Sequence, residues 1–276
     1  MTFQPTLNSS TPAFGKINYL LKHSINPINS KKRIEDDSHI HSFFEIYVNI
    51  SGDVSFLHGN SVYRIKPYDI IFSHPGEFHH CIYHSDKIHD HFCLWFLPEG
   101  DTVSEIAKFT ANGHIRLGES GKKRLAALLC RLEEGFESRL DEAICLLSVI
   151  SLISTKKVVE NTEKTQKETK IGQIFEYIDA HLADIRRTSE IADAFYMSVA
   201  TLNRILREET SLSPKKILNA KRMTAAEKLL RNGTGVTEAC YSVGFSDCSR
   251  FISEFKKRFG TTPHKYKASL TVNEKK

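Results

Sequence analysis

The chain has 276 residues and a mass of 31.4 kDa, which is enough for two domains that each bury a hydrophobic core. Hydrophobic residues make up 40% and charged residues 26% of the chain, and these ordinary values exclude a disordered, collagen-like or disulfide-rich protein. The formal net charge is +5, and the whole positive excess lies from residue 168 onward. We therefore expect a polyanion to bind to the C-terminal part.

The six cysteines show no C-x-x-C spacing, and most have apolar neighbours, which predicts buried thiols in a reducing compartment. The first residues lack a basic segment followed by an apolar one, so we expect no secretory signal. The longest apolar run, residues 143–153, is broken by serine and is too short to cross a bilayer. These features predict a cytoplasmic protein with no membrane partner.

Residues 38–97 show the pattern of several short β-strands. Runs of Val, Ile, Phe and Tyr alternate there with turn residues, and residues 54–57 and 61–65 flank a hairpin turn at His58-Gly59-Asn60. Many short strands at this spacing predict a small barrel or sandwich.

One of these strands has a polar face and an apolar face. With a period of two, the apolar face includes Phe44, Ile46 and Val48. If that face packs against the rest of the domain, the opposite face lines an interior. The residues of that opposite face are His39, His41, Phe43, Glu45, Tyr47 and Asn49.

The same strand resembles a cupin barrel in its spacing. The residues His39-x-His41-x3-Glu45-x6-Gly52 resemble the first cupin motif, and Gly76-x2-His79 resembles part of the second. The second motif departs from the family, because Tyr68 stands where glycine is usual and a proline directly precedes Gly76.

The cupin resemblance implies a binding site in the barrel. In metal-binding cupins these positions hold a divalent ion, and imidazole and carboxylate suit such a metal. The candidate metal ligands are His39, His41, Glu45 and His79. The same positions can instead line a ligand pocket with no cofactor, and the candidate ligand-binding residues are then His39, His41, Phe43, Glu45, Tyr47 and His79. We expect His58, His84, His89 and His91 at the surface or in the core.

Between Glu119 and about Thr155 the apolar period becomes helical and predicts two helices. The stripe of the first consists of Leu125, Leu128, Leu129, Leu132 and Phe136. The stripe of the second consists of Leu140, Ala143, Ile144, Leu147 and either Ile150 or Ser151. These helices can pack on their own barrel, on a second copy of the chain, or on both. Residues 156–169 are polar and charged, which predicts a linker between domains at 1–155 and 170–276.

At Lys170 the pattern becomes helical again. Thr188 or Ser189 is expected to cap a short helix, and Ser198 to cap the next one. The turn between them lacks glycine, so Tyr196 or Met197 is expected to adopt a left-handed conformation at some cost. A long helix is predicted to start at Ser213-Pro214 and to end at Asn232-Gly233.

Residues 236–263 predict a second pair of helices joined by a turn at Gly244. Its second helix has an apolar stripe at Phe251, Phe255 and Phe259, with short polar and basic residues on the other faces. Such a helix suits the major groove of DNA. The long helix before it spans about 27 Å, which can hold two such helices roughly one turn of DNA apart.

This second unit resembles the second helix-turn-helix of AraC/XylS-type transcription regulators. The shared features are the Gly-Phe-Ser-Asp turn, the F-x-x-x-F-K-K-R-F-G helix and the trailing T-P-x-x-Y at residues 262–266. The resemblance implies an α+β protein of two domains: a cupin-like β-barrel followed by two dimerisation helices, and an all-α double helix-turn-helix domain. It also implies an activator that works as a homodimer beside RNA polymerase, with double-stranded DNA and a small-molecule effector as further partners.

The residues expected to contact DNA lie on two helices, and the match to the family implies that base edges are read at Ala200, Asn203 and Arg204. In the first they are Ser198, Ala200, Thr201, Asn203, Arg204 and Arg207. In the second they are Cys248, Ser249, Arg250, Ser253, Lys256 and Lys257. Arg204 can make a bidentate contact to guanine and Asn203 to adenine, whereas the lysines suit phosphates.

Three functions are compatible with the sequence. The leading one is a non-enzymatic transcription regulator controlled by a small molecule in the barrel. The second is a cupin metalloprotein or metalloenzyme fused to a DNA-binding domain, which would bind a stoichiometric metal ion. The third is a DNA-associated protein without an effector, whose barrel would be closed to ligands.

Overall fold

The computed structural model describes residues 8–11, 15–26, 40–41, 43–98, 113–154 and 169–273. His39 and nearly all of the predicted linker lie outside these ranges. The strands described are β1 (Asn8–Thr11), β2 (Gly15–Asn26), β3 (Phe44–Ser51), β4 (Val54–His58), β5 (Ser61–Arg64), β6 (Ile70–Ser73), β7 (His79–Tyr83), β8 (His89–Pro98) and β9 (Gly113–Ile115).

The strands form two antiparallel sheets that enclose an aromatic interior. The larger sheet has the order β1-β2-β8-β3-β6-β9, and the smaller one has the order β5-β4-β7. The β4–β5 hairpin has the predicted turn, with His58 paired to Ser61. Tyr47, Phe56 and Ile71 belong to the apolar cluster of this domain interior, with Trp95 packed against it.

The two faces of β3 divide as its alternation predicts. Phe44, Ile46 and Val48 pack on the helices that follow the barrel. Glu45 and Tyr47 occupy the opposite face, which points into the barrel. Strand β3 keeps its alternation because its apolar side chains pack against helices, whereas its polar side chains contact the neighbouring strands.

Two helices cover the outer face of the large sheet, α1 (Glu119–Glu134) and α2 (Arg139–Ser154). The predicted stripe of α1 is buried at Leu125, Leu129 and Leu132. The predicted stripe of α2 is wrong at two positions, because Leu140 and Ile144 are 62% and 53% exposed. This helix is apolar on nearly all sides, and the sheet takes a neighbouring face instead: Ala143, Leu146, Val149, Ile150 and Ile153.

The C-terminal domain is helical throughout its described length. Its helices are α3 (Lys170–Ala180), α4 (Thr188–Ala194), α5 (Val199–Thr210), α6 (Pro214–Arg231), α7 (Val236–Ser242), α8 (Cys248–Phe259) and α9 (Pro263–Asn273). The expected caps at Thr188 or Ser189 are wrong. Thr188 is already helical, and the Glu190 carboxylate accepts the backbone N–H groups of Arg186 and Arg187 in front of it.

The two helix-turn-helix units are α4–α5 and α7–α8. Ser198 caps α5 and Asp247 caps α8 through side-chain oxygens that accept backbone N–H groups. Tyr196 adopts a left-handed conformation in the first turn, with φ at 51°, as its lack of glycine predicted. Gly244 takes the corresponding conformation in the second turn, with φ at 87°.

Helix α6 connects the two units and carries buried charges. The Arg222 guanidinium donates to the backbone oxygen of Leu182 at 3.0 Å, which holds α6 against the segment after α3. Glu227 accepts hydrogen bonds from Arg231 and from the Tyr266 hydroxyl, so α9 closes over the end of α6. Because these bonds involve buried groups, they hold α6 against the segment after α3 and against α9.

The barrel contacts this helical domain through a shared core. Ile40, Leu57, Phe78 and Ile82 of the barrel belong to the same cluster of buried side chains as the core of α3 to α9. Polar contacts between the barrel and the helical domain lie at the edge of this shared core.

These polar contacts centre on Asn60 in the β4–β5 turn. Its amide nitrogen donates to Asp179 at 2.7 Å, and its amide oxygen accepts a hydrogen bond from Lys221. Lys221 also donates to Asp179 at 2.8 Å and lies over the Phe175 ring. The hairpin thereby touches both α3 and α6.

Candidate ligand pocket and DNA-binding face

Three of the four predicted metal ligands come together inside the barrel. His41 precedes β3, Glu45 lies on β3 and His79 begins β7, and all three are buried. The carboxylate oxygen of Glu45 lies 3.0 Å from His41 Nε2 and 3.5 Å from His79 Nε2. One ligand atom from each residue lies within 4.8 Å of the others. His39, the fourth, lies outside the described residues.

Backbone carbonyls orient the two imidazole rings of this group. His41 Nδ1 donates to the oxygen of Phe43 at 2.8 Å, and His79 Nδ1 donates to the oxygen of Glu77 at 3.0 Å. Each Nε2 therefore faces the carboxylate of Glu45. Three electron-rich atoms that face one point repel one another unless a proton or a cation lies between them. The donor set and its orientation thus fit a divalent metal ion of the kind that imidazole and carboxylate hold.

Without a metal, a proton shared among these three side chains reduces the repulsion between their donor atoms. Burial raises the pKa of Glu45, but the two imidazoles outweigh it and hold that pKa well below its usual range. Burial lowers the pKa of His79, but the charge of Glu45 outweighs burial. The pKa of His79 therefore lies above its ordinary value. The pKa of His41 is lowered by its burial. The surroundings therefore favour an ionised Glu45, and they favour a proton on His79 over one on His41.

A second polar cluster lies farther along the same interior. The Tyr47 hydroxyl lies 2.6 Å from His89 Nε2, and the rings of His89 and His91 stack with centroids 4.3 Å apart. Burial lowers the pKa of His89 to about 3 and that of His91 to about 4, so both imidazoles are neutral at pH 7. This part of the pocket offers uncharged donors and acceptors.

Several buried polar atoms in this interior have no hydrogen-bond partner among the described residues. They are the two amide atoms of Asn49, Ser73 Oγ, His89 Nδ1 and His91 Nδ1. Strand pairing places these residues close together, because Ser73 is paired with Glu45 and Asn49 is paired with His91. Buried polar groups in native proteins are nearly always satisfied, so these atoms indicate a bound molecule or ordered water.

The prediction missed the contribution of β8 to this pocket. Trp95 donates its indole N–H to Glu45 at 2.5 Å, and His89 and His91 lie on the same face of the strand. A period-two pattern from His89 through His91 and Cys93 to Trp95 is visible in the sequence and could have assigned them to one face. Only the pairing of β8 with β3 places that face opposite Glu45.

The predicted DNA-contacting residues lie on the outer faces of the two recognition helices. On α5, Ser198, Ala200, Arg204 and Arg207 are exposed, whereas Thr201 and Asn203 are half-buried. Arg204 forms an ion pair with Glu208 at 2.7 Å one turn later.

On α8 the arrangement is similar. Cys248 is half-buried, and Ser249, Arg250, Ser253, Lys256 and Lys257 are exposed. Phe251 and Phe255 face the core and hold the helix in place. The geometry leaves the short polar and basic groups of α8 free to face a duplex, as a major-groove helix requires.

A barrel with a polar interior, joined to two helix-turn-helix units on one connecting helix, defines a ligand-binding regulator of transcription that binds DNA. Residues 33–149 match the AraC-like ligand binding domain and residues 191–269 match a helix-turn-helix domain. The chain belongs to the AraC family of transcription regulators.

Similar proteins include transcriptional activators. The HTH-type transcriptional activator RhaS of Enterobacter sp. (strain 638) is 24% identical over 239 residues, which cover 82% of this chain and 85% of that protein. RhaS of Salmonella arizonae is 25% identical over the same length, with the same coverage. The crystal structure of ToxT from Vibrio cholerae O395 aligns with a TM-score of 0.39 and 15% identity, over 92% of this chain and 98% of that chain. Within the described ranges, no helix is both long and apolar enough to cross a membrane.

Proposed function

We propose that this regulator is an activator whose binding to DNA depends on a neutral, hydroxyl-rich small molecule held in the barrel. The observation that supports this most is the set of unpartnered buried atoms at Asn49, Ser73, His89 and His91. The matched relatives are named activators, which supports the sign of regulation.

The chemistry of the pocket favours this class of ligand. A hydroxyl group both donates and accepts hydrogen bonds, so it can satisfy an amide, a serine hydroxyl and a neutral imidazole alike. The rings of Tyr47 and Phe56 lie 4.7 Å apart and offer apolar faces to the carbon skeleton of such a molecule. The ionised Glu45 disfavours a second carboxylate beside it.

A short physical connection leads from the pocket to the DNA-binding domain. The Gly76 N–H donates to the backbone oxygen of His41 at 2.8 Å, so one turn holds the segment that carries this histidine. Gly76 also lies against Glu227 of α6, closely enough that an added methyl group would overlap its carboxylate. A ligand that moves His41 would therefore shift the helix that orients both recognition helices.

The ligand proposal is tested by thermal unfolding of the full chain with a panel of monosaccharides and organic acids. We expect a monosaccharide to raise the unfolding temperature, and Asn49→Leu to abolish that rise. The matched control is Asn203→Leu, which changes an asparagine outside the barrel and should leave the rise intact. The proposal is wrong if no sugar stabilises the parent chain or if Asn49→Leu responds as the parent does.

We also propose that His41, Glu45 and His79 bind a divalent metal ion in the same pocket. Bound there, the ion would supply a Lewis acid for a hydroxyl oxygen of the ligand. The support is the convergence of their three donor atoms and the fixed orientation of both rings.

Zinc titration into the full chain, followed by elemental analysis, tests this site. We expect one ion per chain, and a loss of affinity of at least about tenfold in Glu45→Gln, because one of three protein ligands weakens. His114→Gln changes a buried histidine that pairs with Asp69 elsewhere, and it should bind zinc normally. Parent chain that takes up no zinc would contradict the site.

For contact with DNA we propose the exposed residues of α5 and α8. Arg204→Ala is expected to relax the preference for one base pair at a cost of about 1–3 kcal/mol. Lys256→Ala should instead weaken all sequences equally and reduce the salt slope by about 1. Both variants are measured against duplexes enriched by the parent from a random-sequence pool. Parent-like binding by both would refute the assignment.

We further propose that the active form is a cytoplasmic homodimer that contacts RNA polymerase, and that residues 1–155 and 170–276 form its two domains.

The exposed Leu140 and Ile144 on α2 support a dimer, because they extend the apolar face beyond the part that the sheet covers. Sedimentation of Leu140→Ser/Ile144→Ser should show monomers. Ile25→Ser, at a residue 59% exposed elsewhere, is the control. A double variant that stays dimeric would exclude this surface.

A further inference from the structure

Two cysteines meet inside the second helix-turn-helix unit. Cys240 lies on α7 and Cys248 is the first residue of α8, on opposite sides of the turn at Gly244. Their sulfur atoms are 2.9 Å apart. A disulfide bond is about 2.0 Å long, so the sulfurs need to approach by less than about 1 Å. Small side-chain rotations can provide a movement of this size.

The surroundings of the two thiols differ. Cys240 is fully buried, and burial together with the neighbouring Cys248 raises its pKa to about 12. Cys248 is half-buried at the start of the recognition helix and faces solvent on one side. An oxidant from solution therefore reaches Cys248 first, and the buried Cys240 is the second thiol, which reacts with the oxidised Cys248.

We propose that Cys240 and Cys248 form a redox-modification site at which a peroxide converts the two thiols to a disulfide. The Cys248 thiol loses its proton, the thiolate attacks one peroxide oxygen and the O–O bond breaks, and the departing hydroxide takes up the released proton to form water. The sulfur of Cys240 then attacks the resulting sulfenic acid, the S–O bond breaks, and the second water leaves with the Cys240 proton. Two thiols and one hydrogen peroxide give one disulfide and two waters.

The disulfide would change the DNA-binding face, and this consequence rests on the proposed DNA contacts. Cys248 begins the helix whose next two residues, Ser249 and Arg250, are exposed toward a duplex. Linking Cys248 to α7 draws the first turn of α8 inward and removes its S–H donor. Because contacts to base edges depend on positions within about 0.5 Å, the oxidised protein should bind its DNA site at least tenfold more weakly.

Peptide mapping of the full chain tests the chemistry without DNA. The protein is treated with hydrogen peroxide, alkylated with iodoacetamide and digested with trypsin. Residues 232–250 follow an arginine and contain both cysteines but no internal lysine or arginine, so they form one tryptic peptide. We expect that peptide unalkylated and lighter by two hydrogen atoms, and restored by dithiothreitol. Two alkyl groups on it after peroxide treatment would overturn the proposal.

DNA binding is measured on a duplex enriched by the reduced parent from a random-sequence pool. Peroxide should weaken binding at least tenfold in the parent and in Cys130→Ser, whose exposed thiol lies on α1. Peroxide should leave Cys240→Ser and Cys240→Ala unaffected, and either variant suffices if the other fails to fold. A disulfide that forms with no change in affinity would overturn the regulatory role, whereas failure of the reduced parent to enrich any duplex would count against the DNA contacts instead.

Discussion

Replacing Tyr196 by glycine should stabilise the first helix-turn-helix unit. The backbone of this residue is left-handed, with φ at 51°, and its side chain is 99% exposed. A left-handed conformation costs a non-glycine residue about 1–2 kcal/mol, and the side chain contributes no packing that the substitution would remove. Glycine loses roughly 0.5–1 kcal/mol of this gain through the greater freedom of the unfolded chain.

The net gain is therefore about 0.75 kcal/mol, or roughly three- to fourfold in the local opening equilibrium. Native-state hydrogen exchange of the α4 and α5 amides measures this equilibrium directly. Tyr196→Gly should slow their exchange by that factor, whereas Tyr196→Ala keeps the strain and should leave it unchanged. Equal exchange in the two variants, or faster exchange with glycine, would show that the turn carries no strain.

Three further predictions concern other parts of the chain. Gly244→Ala should destabilise the second unit by about 2–3 kcal/mol in urea unfolding, because the new methyl would lie 2.8 Å from the Ala183 oxygen; a parent-like midpoint would contradict this. Glu208→Ala should raise DNA affinity several-fold at low salt, since it frees Arg204 and removes a carboxylate from the DNA-binding face; equal affinities would exclude this role. Burial raises the pKa of Asp69, but hydrogen bonds from His114 and an arginine outweigh it and lower the pKa to about 2. Asp69 therefore stabilises the barrel by about 2 kcal/mol above pH 4, and this contribution disappears as the pH falls toward 2. Urea unfolding followed by the single tryptophan should show the parent's advantage over Asp69→Asn shrinking over that interval, and a constant difference would refute it.

Local signals predicted most of the helical domain. Ser198 caps the helix that follows it, Pro214 begins α6, and the phenylalanines of α8 face the core. Each of these features is decided within one or two turns of helix, so the sequence pattern alone contains the information. Helix α9 was missed although its start signals are also local: Pro263 is its first residue, and the Thr262 hydroxyl accepts the backbone N–H of Lys265.

The pocket was predicted only in part, for a related reason. The alternation along β3 correctly separated Glu45 and Tyr47 from the outward apolar residues. The partners of these two, Trp95 and His89, come from β8 some fifty and forty residues later. Strand pairing determines which histidines meet, and no local pattern states the register.

The exposed residues of α2 show the same limit. Leu140 and Ile144 fit a helical stripe, but α2 is apolar on more than one side, and periodicity cannot decide which side the sheet covers. Only the packing of Leu146 and Val149 against the sheet settles it.

The core shared by the barrel and the helical domain limits how this chain can be recombined with its relatives. Leu57, Phe78 and Ile82 bury against the helical domain, and Asn60 bridges α3 and α6. A chimaera that joined this helical domain to the barrel of another regulator would expose that apolar surface and leave Lys221 and Asp179 without the amide between them. The barrel and the helical domain can therefore be exchanged between relatives only together with the residues of their shared surface. Substitutions on the barrel side of that surface are constrained by the sequence of α6.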